Sequence, residues 1–325
     1  MTDTAFWSNK SVTVTGGAGF LGQRVCAALQ ERGCPSIFVP RSADYDLTEP
    51  AAVTRLYDDA QPDMIIHLAA EVGGIGANQQ QPGRFCYANL AMGLHLIEEG
   101  RRRNLQKFVQ VGTVCAYPKH CPTPFREDDL WKGYPEETNA PYGLAKKMLL
   151  VLLQAYRQQY NFNGIYLLPA NMYGPGDNFD LQTSHVIPAL IRKFAHAVET
   201  NAKTVECWGT GNPSREFLYV DDAAEGILTA ARTYNGPDPI NLGTGQEVTI
   251  ADLADQIAGL TNFTGQIKYN PTQPDGQPRR TLSTDRATQQ LNWQAKTNLQ
   301  TGLTQTLQWW KTNGRHPFPQ PTTAT

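Results

Sequence analysis

A membrane-spanning run, paired cysteines and a dominant charge are all missing from this 325-residue sequence. No apolar stretch approaches the ~20 residues that cross a bilayer as a helix. Met1 to Lys10 holds no apolar core of a secretory signal. The net charge is only −2, from 28 Lys and Arg against 30 Asp and Glu, so neither a nucleic acid nor a membrane surface is an expected partner. Any anionic ligand must be met by a few local cations. The six cysteines, at 26, 34, 86, 115, 121 and 207, include no C-x-x-C pair, and no His stands at ligand spacing from them. No metal site is expected, and reduced thiols in a cytoplasmic protein are the expectation.

What is present is an alternation of short apolar runs with longer amphipathic ones. Ser11 to Thr15, Ser36 to Val39, Met64 to Ala70, Lys107 to Gly112 and Ile165 to Pro169 read as strands. Asn89 to Arg103 and Tyr142 to Tyr160 between them read as helices. Such alternation indicates a doubly wound parallel α/β sheet of the Rossmann type, covered by helices on both faces. After residue 170 the rhythm breaks. Asn171 to Ser184 reads as loop, His185 to Thr200 as helix and Val205 to Trp208 as strand. Phe217 to Asp222 and Ile240 to Gly245 read as returns to the first domain, and two amphipathic helices follow Thr249. The expected division is a dinucleotide-binding domain over 1–170 plus about 217–246, and a smaller, discontinuous α/β substrate domain over about 171–216 plus 247–325. Pro317 to Thr325 reads as a frayed tail.

Gly16, Gly19 and Gly22, with Phe20 and Leu21 between them, follow the first strand directly and precede a helix that runs to about Arg32. Glycines there let backbone approach a pyrophosphate, which the positive helix N-terminus attracts. An acidic residue at the end of the second strand would mark NAD. This chain has Arg41 and Ser42 instead, chemistry that suits the 2′-phosphate of NADP(H), with a solvated surface Arg41 as the lesser alternative. Asp46 lies just beyond, within reach of an adenine edge.

Tyr142 and Lys146 are spaced i, i+4 and share a helix face. A Lys ammonium beside a phenol should favour the phenolate, and such a Tyr can protonate a carbonyl oxygen as hydride reaches its carbon. Thr113, at a strand end, offers a second hydrogen bond to that oxygen. Cys115, two residues on, reads as a buried apolar thiol on composition alone.

The motifs that flank these residues make the pattern specific. They are His67-Leu-Ala-Ala-Glu-Val-Gly-Gly-Ile75, Cys115-Ala-Tyr-Pro118, Asn139-Ala-Pro-Tyr-Gly-Leu-Ala-Lys146, Ser184-His-Val-Ile-Pro188, Ser214-Arg-Glu-Phe217 and Pro274-Asp-Gly-Gln-Pro-Arg279. With them the chain resembles the extended short-chain dehydrogenase/reductases, and within these the GDP-L-fucose synthase family of GDP-4-keto-6-deoxy-D-mannose 3,5-epimerase/4-reductases. The resemblance runs nearly end to end. It departs at Thr113, where the family usually has Ser, and in a glycine loop without the basic residue that some members carry.

The resemblance implies Cys115 as base and His185 as acid for inversion at C3 and C5, with Thr113, Tyr142 and Lys146 serving hydride transfer to C4. It implies that Leu68, Ala69, Ala70, Lys146 and His185 also touch the cofactor. It places the GDP-sugar against Val72, Gly73, Gly74, Asn171, Lys193, Trp208, Arg215 and Arg279, with Arg280 beside it; Trp208 either stacks a base or is buried as core, and Arg279 and Arg280 are either ligands or a solvated charge pair. It implies a homodimer. The rivals are another nucleotide-sugar 3,5-epimerase or 4-ketoreductase of this fold and, from a different class, a non-catalytic dinucleotide-binding sensor. Intact Tyr142 and Lys146 speak against the sensor. Ser184 reads as the N-cap of the helix that would carry His185 in its first turn.

Overall fold

The computed structural model describes residues 3–73, 75–181, 183–273 and 275–314. Gly74 and the expected tail, Pro317 to Thr325, lie outside the described residues. A short helix, α1 (Asp3–Trp7), precedes β1 (Ser11–Thr15), α2 (Phe20–Glu31), β2 (Ser36–Phe38), α3 (Pro50–Ala60) and β3 (Met64–His67). Next come α4 (Ile75–Gln80), α5 (Pro82–Arg102), β4 (Lys107–Val111), α6 (Ala140–Tyr160) and β5 (Gly164–Pro169). The chain continues through β6 (Asn171–Tyr173), α7 (Val186–Glu199), β7 (Thr204–Trp208), β8 (Ser214–Tyr219), α8 (Val220–Thr233) and β9 (Ile240–Leu242). It closes with β10 (Glu247–Thr249), α9 (Ile250–Thr261), β11 (Gln266–Asn270), β12 (Arg279–Arg280), α10 (Asp285–Leu291) and α11 (Leu299–Asn313).

Six strands form a parallel sheet in the order β2-β1-β3-β4-β5-β9. Strands buried on both faces are mostly apolar, and β3, β4 and β5 are buried along their whole length, with Lys107, Gln110 and His67 as buried polar exceptions. The strand order reverses between β1 and β3. This is the switch point at whose C-terminal crevice ligands of open α/β sheets bind. Every turn that leaves this edge is therefore a candidate contributor to a site.

A second sheet, β10-β8-β12 with β6 also paired to β8, stands beside the first. Its β6 lies inside the segment expected as loop. The Asn171 to Tyr173 stretch is too short to show a period, and it forms a strand because β8 offers it a parallel edge. Phe217 and Tyr219 of β8 likewise pack into a separate apolar core with Ile191, Phe194, Leu253 and Leu303, while Leu218 between them faces the first core. The strand expected to return to the first sheet thus lies in the second, and the return begins with α8. In the tail, Ala287, Leu291 and Trp293 of and after α10 pack into the first core.

Candidate active site

The crevice is built first by glycine. Gly16 has φ +71°, a left-handed conformation that suits glycine, and a Cβ there would lie 2.8 Å from the amide nitrogen of Ala69. A Cβ on Gly22 would lie 2.1 Å from the Gly16 carbonyl oxygen. The loop is therefore held tight against β3, and the first amides of α2 stay open, since its N-cap Gly19 has no side chain to occupy them. This cradle fits a dinucleotide pyrophosphate. Phe20 and Leu21 begin α2, and Leu68, Ala69 and Ala70 line the exit of β3. Arg41 is exposed beyond β2 and makes no ion pair with the described residues. Asp46 is exposed too, but its Oδ1 accepts from the Thr48 amide at 2.9 Å and the Thr48 hydroxyl at 2.6 Å, which holds its carboxyl below the usual range.

Past β4 the chain turns through a 3-10 turn over Val114–Ala116, capped by Thr113, whose Oγ1 accepts from the Cys115 amide at 3.2 Å. The Thr113 hydroxyl stands near enough to the Tyr142 phenol to favour its ionised form. Tyr142 and Lys146 both lie on the buried side of α6. Lys146 Nζ donates to the Val111 carbonyl at 3.3 Å and the Ala69 carbonyl at 3.5 Å. The expected lowering of the phenol's pKa by Lys146 is not what the structure shows. Burial pushes Tyr142 well above the usual phenol value, the Cys115 charge pushes the same way, and only the Thr113 hydroxyl opposes them. Burial also pushes Lys146 down to about 8. In the closed pocket desolvation outweighs the attraction that i, i+4 spacing promised.

Cys115 is half-buried, and its Sγ lies 3.8 Å from Arg280 Nη1. Arg280 stands in register with Arg215 across the β12–β8 pair. Arg215 is pushed down to about 10, by burial first and by the neighbouring Arg280 second. Arg280 therefore faces the thiol, and Arg215 stands behind it with its guanidinium on the Ser214 and Asp275 carbonyls. Arg279 is not brought there. It is exposed and paired with Glu247, Nε to Oε1 at 3.0 Å. Adjacent residues of a strand point to opposite faces, and the register with β8 sends Arg280 inward. Of the candidate pair Arg279/Arg280, the structure brings Arg280 to the thiol.

His185 opens α7, as its N-cap and not in its first turn. Its carbonyl accepts from Ala189 at 3.1 Å, so the helix begins one residue later than the Ser184 cap implied. The imidazole is exposed, and partial desolvation by its surroundings holds its pKa below the usual value. Trp208 is 60% exposed, so it is not core. Lys193 Nζ sits 5.8 Å from the centre of its ring and donates to the Glu206 carbonyl at 2.9 Å. Asn171 Nδ2 donates to the Glu216 carbonyl at 3.2 Å, and Val72 and Gly73 border the crevice beyond β3 with Val72 exposed.

Residues 12–243 match the NAD dependent epimerase/dehydratase family. The chain belongs to that family. Within it, the chain is 38% identical to "GDP-L-fucose synthase 1" of Arabidopsis thaliana over 94% of this chain and 95% of the relative. It is 34% identical to "GDP-L-colitose synthase" of Yersinia pseudotuberculosis over 92% and 97% of the two chains. A solved structure of a GDP-L-fucose synthetase from Naegleria fowleri bound to NADP superposes with a TM-score of 0.85 at 27% identity, covering 94% of this chain and 95% of that one. Family membership accounts for the cradle, the doubly wound sheet and the Tyr142–Lys146 pair in a single crevice. It does not by itself account for Cys115 beside Arg280.

Proposed function

We propose that the protein is an NADPH-dependent epimerase/reductase that converts GDP-4-keto-6-deoxy-D-mannose to GDP-L-fucose. The observation that carries the reading is the thiol of Cys115 set beside Arg280, with Arg215 behind it, in the same turn as the Thr113 that stands by Tyr142. A ketone acidifies the hydrogens on both neighbouring carbons. Cys115 removes one as the base, with Arg280 beside its Sγ. His185 returns a proton to the opposite face, which inverts the carbon, and the enolate oxygen rests on Tyr142 and Thr113. The bound dinucleotide supplies hydride to C4, and Tyr142 then gives its proton to O4.

The same proposal assigns the remaining contacts. The cradle of Gly16, Gly19 and Gly22, with Phe20 and Leu21, holds the pyrophosphate. Arg41 meets the 2′-phosphate, Asp46 lies towards the adenine, and Leu68, Ala69 and Ala70 pass under the nicotinamide side. The substrate diphosphate settles between Arg215 and Arg280 and relieves their repulsion. Lys193 and Trp208 receive the base, and Val72, Gly73 and Asn171 border the sugar. The two apolar cores support the division into a dinucleotide-binding domain and a substrate domain.

Tyr87 and Leu94 of α5 and Met148 and Val151 of α6 expose an apolar face, at 58, 41, 50 and 38%, which supports a homodimer through these two helices. Light scattering of the intact protein should give about twice 35.9 kDa, and a mass of 35.9 kDa would contradict it. Six free thiols support a cytoplasmic location. The function is tested by following dinucleotide oxidation with GDP-4-keto-6-deoxymannose and identifying the product. Oxidation of NADPH in preference to NADH with GDP-L-fucose as product supports the reading. A product that keeps the manno configuration contradicts it, and a preference for NADH contradicts the place of Arg41.

A further inference from the structure

The segment that leads into β12 holds both arginines of the crevice. The Asp275 carbonyl accepts from Arg215 Nη2 at 3.0 Å, and Gln277 Oε1 accepts from Arg280 Nε at 3.2 Å. The segment is itself anchored, because Asp275 Oδ1 accepts from the Thr210 amide at 2.7 Å and Oδ2 from the Thr210 hydroxyl at 2.9 Å.

Gln277 stands apart within this segment. Asp275, Gly276, Pro278 and Arg279 are exposed, whereas Gln277 is buried at 8% exposure. A buried amide needs a partner at each end, and this one has both. Its Nε2 donates to the Lys119 carbonyl at 2.8 Å while its Oε1 takes the Arg280 N–H. Turning the amide over would set its NH2 against a guanidinium N–H and its oxygen against a carbonyl oxygen, so the two partners fix its orientation. Lys119 ends the stretch Cys115-Ala-Tyr-Pro-Lys119. The side chain thus ties the stretch that begins with the thiol to the strand that carries Arg280. The guanidinium closes the circuit, since with its Nε held its Nη1 reaches Cys115 Sγ at 3.8 Å.

The neighbouring arginine shows what a different partner does. Arg279 meets Glu247, a carboxylate that offsets its charge. Gln277 has the length of a glutamate and no charge, so it fixes Arg280 and leaves it fully cationic. A carboxylate at 277 would also face the Lys119 carbonyl oxygen with no proton to offer it.

We propose that Gln277 is a positioning residue for the epimerisation, which holds the Arg280 guanidinium against the Cys115 thiol and leaves its charge free for the substrate diphosphate. The inference rests on the function proposed above. A base acts only from within reach of the hydrogen it removes, and a half-buried thiol turns about χ1 unless something holds it. The Nη1 contact is that hold, and it is only as fixed as the arginine itself. An unrestrained arginine loses rotamer freedom each time it is ordered, and a pinned Nε removes that freedom before the substrate arrives. The Nη hydrogens that remain form the fork that matches a phosphate oxygen pair.

Two variants test this, with the wild-type protein alongside. Gln277→Leu removes both hydrogen bonds and keeps the bulk. Its exchange of solvent deuterium into C3 and C5 should fall about tenfold or more, the size of one hydrogen bond to a charged group. Reduction of a 4-keto sugar that needs no inversion should fall less, and NADPH affinity should hold. Gln277→Glu keeps an acceptor for Arg280 but spends its charge, so KM for the GDP-sugar should rise about tenfold while KM for NADPH holds. Wild-type exchange in the Leu variant overturns the inference, and so does wild-type sugar KM in the Glu variant. Joint loss of exchange, reduction and NADPH affinity with a lowered melting temperature marks a packing role and also overturns it. A crystal structure of Gln277→Leu decides the point without any substrate. Arg280 should leave Cys115 Sγ, and an arginine that stays there overturns the inference. A wild-type protein that neither exchanges nor reduces the GDP-keto sugar fails the underlying reading instead, and the variant structure tells the two failures apart.

Discussion

Tyr142→Phe is expected to lower kcat for reduction by about 10²- to 10⁴-fold, the usual worth of a positioned general acid, while NADPH binding stays near wild type. The phenol sits in the closed part of the crevice, where burial keeps it protonated and therefore ready to act as an acid. Thr113 stands beside it. Dinucleotide affinity comes mainly from the glycine cradle and the amides of α2, which the substitution does not touch. The wild-type reduction should also decline on the alkaline side near pH 8. Lys146 is the group that titrates there, since burial lowers its pKa to about 8. The sign follows from the lowered pKa: Lys146 is an ammonium held on the Val111 and Ala69 carbonyls only below that pH, so the rate is full there and is lost above it. A kcat profile over pH for wild type and variant checks both statements. A Tyr142→Phe enzyme with wild-type kcat would contradict the assigned acid.

Cys115→Ser is expected to suppress solvent deuterium exchange at C3 and C5 by at least about 10²-fold, on the same scale of general-base catalysis. Reduction of a 4-keto sugar that needs no inversion should fall only a few fold. The geometry separates the two functions. Sγ faces Arg280, whereas the hydroxyl of Thr113 stands by the phenol of Tyr142. A serine hydroxyl keeps the size of the side chain but ionises far less readily than a thiol. Exchange is measured by mass spectrometry of sugar recovered from heavy water, and reduction by dinucleotide oxidation. Equal loss of both activities would mean that Cys115 only holds the turn, and loss of neither would remove it from the mechanism.

The parts of the site that local spacing determines were legible in the sequence. The glycine loop after β1 and the Tyr142–Lys146 pair are such cases, because a turn and a helix face are set by residues a few positions apart. What depends on long-range register was not legible. Arg279 and Arg280 are neighbours in the chain, and only the pairing of β12 with β8 decides which one meets Cys115. The β6 strand exists because β8 gives it an edge. The electrostatics of Tyr142 also escaped, since i, i+4 spacing shows the Lys and not the burial of both partners.

The central claim is that one crevice moves protons on carbon and hydride to carbon in the same substrate. The most direct measurement incubates GDP-4-keto-6-deoxymannose with the protein in heavy water, with NADPH deuterated at its transferable position, and locates the label in the product. The account predicts solvent deuterium at C3 and C5 and dinucleotide deuterium at C4 of a single GDP-sugar. Label at C4 alone would show a plain reductase, label at C3 and C5 alone a plain epimerase, and either result would contradict it.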